Sequence, residues 1–500
     1  MDLQQAKERL DALELKNFAY NFAMSTIMTD AETVAPKESH EPRGIAMGIL
    51  SGEQFQLQTS DETLEVVNTL FDNKDSLDEE YARRAEILKE DLDKIKKIPM
   101  EEYTAYTELM NASSYTWVKA KNNNDFASFA PFIEKIIETQ KRFNALTDPD
   151  KDPYDVQLDA HEEGTDRTYY DAFFNELKET LVPLIVKIRQ CEQPDNRWLK
   201  QTYPLSVQRD LSDFVMDAFY LDKNHCSIGE TEHPFTGGTS SRDVRITTHY
   251  YEKDPVASLY SVIHEGGHAN YELHVNPAFD TNCLGGGASM AMHESQSRFW
   301  ENYVGRSRAF VEWFFPYFQH FFPDQTKGHT AEEFYRCVNM AMPSLVRTEA
   351  DELTYSMHVL IRYELEKQLF NGSLKVKDLP EAWNAAYQEY LGVQVPNDSV
   401  GVLQDVHWSQ GMFGYFPTYS LGTAYSAQIL ETLKKELPFD ELVAKNELKT
   451  ILQWLSDRIY RFGRLHKPGT FVPDITGAPF TAKYYTDYLT KKFSELYHLS

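Results

Sequence analysis

His264, Glu265 and His268 stand together in the segment VIHEGGHANYE, and their types and spacing are those of a hydrolytic metal site. One turn of helix carries a residue over the one four places before it, so both imidazoles project from one face and can close on a single tetrahedral ion. Glu265 then points along a neighbouring flank, where it can take a proton from an attacking water without being a ligand. The chemistry predicted is metal-assisted peptide hydrolysis. A surface helix bearing two solvated histidines would carry the same letters, but its surroundings oppose that reading. The preceding ASLYSVI is apolar enough to bury the helix. Gly266 and Gly267 are poor helix formers, useful chiefly where another element or a substrate must approach closely.

Zinc needs a third protein ligand and one position kept for water, and the candidates are Glu272, Glu294, Glu301 and His274. Glu272 lies on the stripe of His268 but a turn further on, an awkward reach to a shared ion. Glu294, in ASMAMHESQSRFWENYV, sits early in a second amphipathic segment after the break at Gly285 to Gly287. A second helix crossing the first brings a carboxylate from a new direction, as three-point coordination requires. The expected ligands are His264, His268 and Glu294 around Zn2+, and Co2+ suits the same donors.

Further motifs follow in chain order. HPF spans His233 to Phe235, a D-x-R-x-T pattern takes Asp243, Arg245 and Thr247, and HESQS runs from His293 to Ser297. VRTEAD runs from Val346 to Asp351, and GVLQDVHW fills Gly401 to Trp408. Together with HEGGH these resemble the carboxypeptidase Taq family of zinc metallocarboxypeptidases. The one departure is Val346, where that family usually has isoleucine. The text AETVAPKESHEPRG near the start also looks like that family, so the resemblance runs from about residue 20 to the end. It implies a mainly α-helical, two-lobed body with a deep active-site groove and a small antiparallel β-sheet near the zinc helix. It also implies release of single C-terminal residues with broad preference, and a homodimer.

Several residues take expected roles from their chemistry and from these motifs. SLVRTEADELTYSMHVLIRYELEKQL reads as one long helix, on which Arg347 and Asp351 could form no more than an i,i+4 surface pair worth roughly 0.3 kcal/mol. The resemblance instead sets this helix against the active site, with Asp351 behind a zinc-ligand imidazole and Arg347 facing substrate. An arginine fork matches a terminal carboxylate bidentately, so Arg347, then Arg245, are the candidates to receive it. His233 and Tyr419 complete the expected substrate contacts. His407 and Tyr415 are candidates to donate hydrogen bonds to the oxyanion, with aromatic core packing as the competing role for each tyrosine.

The elements that must position these groups are mostly helical. Periodicity predicts helices over 2–30, 62–97, 101–122, 126–147, 167–190 and 206–218, and over most segments beyond 255. Between Cys226 and Tyr251 the pattern changes, with Val244, Ile246 and Thr248 alternating onto one face of a short strand or hairpin. A sheet edge there can hydrogen-bond an extended peptide. A length of 500 residues suggests about three domains, yet no Ser/Gly/Pro linker divides the chain. One catalytic domain over 1–500 is expected, with a mainly helical lobe over 1–220 and a zinc-bearing lobe over 221–500.

A formal charge of -27 opposes nucleic-acid backbones and anionic membranes as partners, which leaves peptide substrates. The acidic N-terminus lacks an apolar signal core, no run reaches membrane-spanning length, and Cys191, Cys226, Cys283 and Cys337 have no C-x-x-C spacing. A cytoplasmic protein with free thiols is expected. Two rival functions are an oligopeptidase or dipeptidyl carboxypeptidase with the same zinc apparatus, and a silent peptide binder. Intact Glu265 between two histidines speaks against the second.

Overall fold

Short polar side chains start the helices that matter to the site. Asp254 accepts a hydrogen bond from Ala257 N ahead of Pro255, which occupies a first-turn position where no amide is needed. Ser289 accepts one from Met292 N at the start of the next helix. The computed structural model describes residues 1–499, and its chain opens on α1 (Leu3–Thr33), α2 (His40–Thr59), α3 (Asp61–Asp72), α4 (Glu79–Lys97), α5 (Met100–Asn123), α6 (Phe126–Thr147), α7 (Pro153–His161), α8 (Arg167–Ile188) and α9 (Leu205–Ala218). The helix expected over 62–97 is divided into α3 and α4, because Asp78 caps a new start by accepting from Tyr81 N. Helix α2 was not expected, and none of its residues is fully buried.

Three strands follow, β1 (Cys226–Glu230), β2 (Thr236–Ser240) and β3 (Asp243–Thr248). Strand β3 is central, antiparallel to β2 and parallel to β1, so the sheet is mixed rather than wholly antiparallel. Val244, Ile246 and Thr248 are buried on β3, as their alternation predicts. The remaining helices are α10 (Pro255–Leu273), α11 (Met290–Arg298), α12 (Arg308–Phe321), α13 (Ala331–Val338), α14 (Tyr355–Asn371), α15 (Leu379–Tyr390), α16 (Phe416–Glu436), α17 (Phe439–Ala444), α18 (Leu448–Arg458), α19 (Pro468–Thr476) and α20 (Lys483–Leu496). A π-helical stretch, Phe299–Gly305, continues α11.

The continuous helix expected from Ser344 begins only at Tyr355. Asp351 stops it from starting earlier by accepting hydrogen bonds from Met342 N, Leu353 N and Thr354 N, and from the Thr354 hydroxyl. Arg347 sits in a separate 3-10 turn.

The apolar core does not divide at residue 220. One continuous core runs from Ile87 on α4 to Tyr497 and includes α6 and α8. A second, smaller one joins α1, α3 and α4 through Leu10, Val66, Leu70 and Ala85. Among the described residues no helix is long and apolar enough to cross a membrane.

Candidate metal centre and active site

Helix α11 reaches the histidine-bearing helix through glycine. A Cβ on Gly267 would lie 2.7 Å from Ser297 Cα, and one on Gly422 of α16 would lie 2.9 Å from Glu294 Cβ. The backbones of α10 and α16 therefore close on α11 from two sides, at positions where only hydrogen fits. Glu162 fixes the start of α11, its carboxylate accepting from the Ser289 hydroxyl at 2.9 Å and Ala291 N at 3.1 Å. The helix end favours an anion, although burial still raises this carboxyl to about 7.

This clamp delivers Glu294 between the two histidines. Glu294 Oε2 lies 3.7 Å from His264 Nε2 and 3.5 Å from His268 Nε2. One ligand atom from each residue lies within 4.8 Å of the other two, a triangle the size of a metal coordination sphere. Each imidazole is held from behind. His264 Nδ1 donates to Glu301 Oε2 at 2.9 Å, which leaves the Nε2 lone pair facing Glu294. His268 Nδ1 lies 2.6 Å from His293 Nδ1, and His293 Nε2 lies 2.6 Å from Glu272 Oε1. A proton donated from His268 to His293, and another from His293 to Glu272, gives His268 the same outward lone pair. Gly287 makes room, since a Cβ there would lie 2.6 Å from His293 Cδ2.

Charge at the centre is balanced by arginine. Arg298 donates to Glu294 at 2.7 Å and to Glu301 at 3.0 Å, and Arg306 donates to Glu301 at 3.0 Å. Burial works against ionising Glu294 and Glu301, but Arg298 and the imidazoles outweigh it and hold both well below the usual carboxylate range. Burial also pulls His264 down, yet Glu294 and Glu301 leave it above the ordinary histidine value. His268 has less compensation, and burial lowers it. Glu265 is buried on the adjoining flank, where its Oε2 accepts from the Thr236 hydroxyl of β2 at 2.6 Å. Among the described residues it makes no pair with an arginine.

The whole chain carries the signature that goes with this centre. The sequence profile of the carboxypeptidase Taq (M32) metallopeptidases matches residues 11–493. The chain belongs to this family. It is 39% identical to carboxypeptidase 1 of Bacillus subtilis (strain 168) over 482 residues, 96% of each protein. It is 34% identical to thermostable carboxypeptidase 1 of Pyrococcus furiosus, covering 95% of this chain and 96% of that protein. Its fold is similar to that of an M32 carboxypeptidase from Deinococcus radiodurans R1, with a TM-score of 0.96, 34% identity, and coverage of 99% of this chain and 100% of the other. As an M32 carboxypeptidase it is a peptide hydrolase that depends on a metal ion. The donor set fits one: two imidazoles and a carboxylate converge, and the rear nitrogen of each imidazole is hydrogen-bonded.

The other residues singled out in the M32 carboxypeptidase sequence divide into groups. His407 and Tyr415 come together, with ring centroids 5.6 Å apart. Burial, reinforced by Arg347, lowers His407 to about 3, so its imidazole is neutral at neutral pH. Burial also raises the Tyr415 hydroxyl, which keeps its proton. Tyr419 packs edge-on against Tyr415 at 5.2 Å, and its hydroxyl meets His407 Nε2 at 3.3 Å. Arg347 is buried beside them, but its guanidinium donates twice to Asp405, at 2.9 and 3.1 Å, and once to the Tyr355 hydroxyl at 3.1 Å. It therefore makes no pair with Asp351.

Asp351 does not support a histidine. Its carboxylate accepts from Met342, Leu353 and Thr354, and the carboxylate behind His264 is Glu301. Arg245 is paired bidentately with Asp243 on β3, at 2.8 Å for both bonds. His233 is exposed on the loop between β1 and β2.

Residues without an assigned role in the sequence reading also join the site: Thr236, His293, Arg298 and His161, whose ring meets Tyr415 edge-on at 5.2 Å. His293 opens the HESQS motif, and Arg298 follows Glu294 by one turn on the same short helix. Glu272 and Glu301, weighed as ligands, stand one shell further out. A cavity of about 560 Å3 opens beside the centre, between α1 and β2, with Glu272 and His293 in its wall.

Proposed function

We propose that this M32 carboxypeptidase works with zinc held by His264, His268 and Glu294, and releases single C-terminal residues with broad side-chain preference. The observation that carries the reading is the convergence of those three groups beside Glu265, a buried carboxylate free of any arginine. Cobalt suits the same nitrogen and oxygen donors. When bound, the ion acidifies a water molecule and polarises the scissile carbonyl.

Glu265, steadied by Thr236, accepts a proton from the attacking water and returns it to the leaving amine. The Tyr415 hydroxyl and the neutral His407 imidazole donate to the oxyanion as it forms. Glu301 and His293 keep the two imidazoles turned towards the ion. Arg347 and Arg245 are the proposed partners of the terminal carboxylate, with Tyr419 and His233 as further substrate contacts. Three of the five N–H bonds of Arg347 are committed to Asp405 and Tyr355, which fixes its orientation and leaves two for substrate. The β2 edge, which carries Thr236, is suited to pair with an extended peptide. A homodimer acting in the cytoplasm completes the proposal.

Mass spectrometry of one peptide, with a free or an amidated C-terminus and with or without chelator, tests it. Stepwise loss of single residues from the free end alone, stopped by chelator and restored best by zinc, is the expected outcome. Internal or dipeptide cuts insensitive to amidation would replace this reading with that of an oligopeptidase.

A further inference from the structure

Glu366 on α14 is wholly buried and has no part in the metal centre. Its Oε1 accepts from Trp408 Nε1 at 2.6 Å, and its Oε2 accepts from Gly414 N and the Tyr154 hydroxyl, both at 2.8 Å. Trp408 directly follows His407, and Gly414 directly precedes Tyr415. One side chain thus grips both ends of the segment that carries the two oxyanion donors.

That segment has little regular structure to hold it. A 3-10 turn over His407–Gln410 ends at Gly411, and Gly411 and Gly414 take left-handed φ values of 70° and 80°. No helical ladder therefore fixes the distance from the histidine to the tyrosine. Packing closes part of the loop: Trp408 stacks on Phe413 at 6.0 Å, and Gly414 lies so near α7 that a Cβ would sit 2.8 Å from the Gln157 backbone. Packing alone would be served by an apolar residue at 366. Such a residue would leave three buried donors unpaired, and the carboxylate pairs them all although desolvation pushes it up to about 7. Arg362, one turn earlier, is itself committed to Asp405 and Gln404.

We propose that Glu366 is the positioning residue that sets the spacing and orientation of His407 and Tyr415 at the scissile carbonyl. The role rests on the reading of those two residues as oxyanion donors. It is tested by Glu366→Gln in two backgrounds, wild type and the donor-less Tyr415→Phe/His407→Leu, with rates expressed per metal-loaded molecule. Glutamine keeps the volume of glutamate but turns an amide donor towards at least one of the three donors.

In wild type, kcat falls roughly 10- to 100-fold with KM changed by about twofold or less. In the donor-less background the same substitution costs about twofold or less in kcat. Equal losses in both backgrounds would overturn the positioning role, because a merely structural lesion acts whatever donors remain. Wild-type kcat in the donor-less variant itself would instead bring down the oxyanion reading. Should Glu366→Gln fail to fold, Trp408→Phe removes one donor and keeps the ring packing, and it is compared in the same two backgrounds and read the same way.

Discussion

Glu265 differs from Glu294 and Glu301 in its neighbours: a threonine hydroxyl faces it, whereas arginine faces the other two. A carboxylate clamped by guanidinium holds its charge and is suited to bind a cation. In the proposed reaction the carboxylate beside the threonine hydroxyl is the one that meets the attacking water. Glu265→Gln is therefore expected to lower kcat by roughly 10³-fold or more while bound metal, counted by elemental analysis, stays near stoichiometric. Glu301→Gln should do the reverse. It loosens the hold on His264 Nδ1 and weakens metal affinity by roughly 10- to 100-fold, read by chelator competition. His161 shows the cost of burying an imidazole beside Tyr415: burial lowers it to about 4. An unfolded chain takes up that proton from about pH 6.5 downward, so this contribution to stability is complete above about pH 6.5 and lost as pH falls towards 4. His161→Asn should accordingly lose less stability than wild type between pH 7 and 5, measured as the change in thermal midpoint relative to each protein at about pH 7.

At the scale of elements, the site depends on how closely α10, α11 and α16 approach. Gly267 stood out in the sequence as a weak helix former suited to close approach, Gly422 did not stand out at all, and the structure shows which backbones each admits. Gly267→Ala sets a methyl group against Ser297 Cα, which has no flexible side chain to move aside. The expected loss is about 1–3 kcal/mol of stability, together with reduced metal content at a given free-metal concentration, read by thermal unfolding and metal analysis. A wild-type thermal midpoint would mean that the helices can separate without cost. The π-helical stretch after α11 matters in the same way, since it carries Glu301 to the rear of His264. Its residues, FWENYVG, have no periodicity that announces such a turn. The helix expected across Arg347 and Asp351 failed for a related reason. The long-range pairing of Arg347 with Asp405, 58 residues away, and the local capping by Asp351 outcompete the helical ladder.

Across the whole molecule, a buried arginine joins α4 to α1 inside the small core, and its glutamate partner reaches on to the larger body. Arg84 pairs with Glu14 and Asp11, and Glu14 in turn accepts from Cys283 N, close to the metal-bearing helices. Removing one partner of a buried pair typically costs about 3–5 kcal/mol, because the other charge stays buried and unpaired. Arg84→Leu should therefore speed amide hydrogen exchange in α1, α3 and α4 while α10 and α11 remain protected. Uniform acceleration would show that the chain unfolds as one unit. The convergence of His264, His268 and Glu294 and the helical class were legible in the residues themselves, because i,i+4 spacing, a following carboxylate helix and apolar periodicity are local properties of a chain. The motif text carried the family for the same reason. What stands behind the ligands was not legible: Glu301 at His264, His293 at His268, Glu366 behind the His407 to Tyr415 loop, and the parallel pairing of β1 with β3. Those relations join residues brought together by close packing of separate elements, and no spacing along the chain encodes which buried carboxylate will face which imidazole.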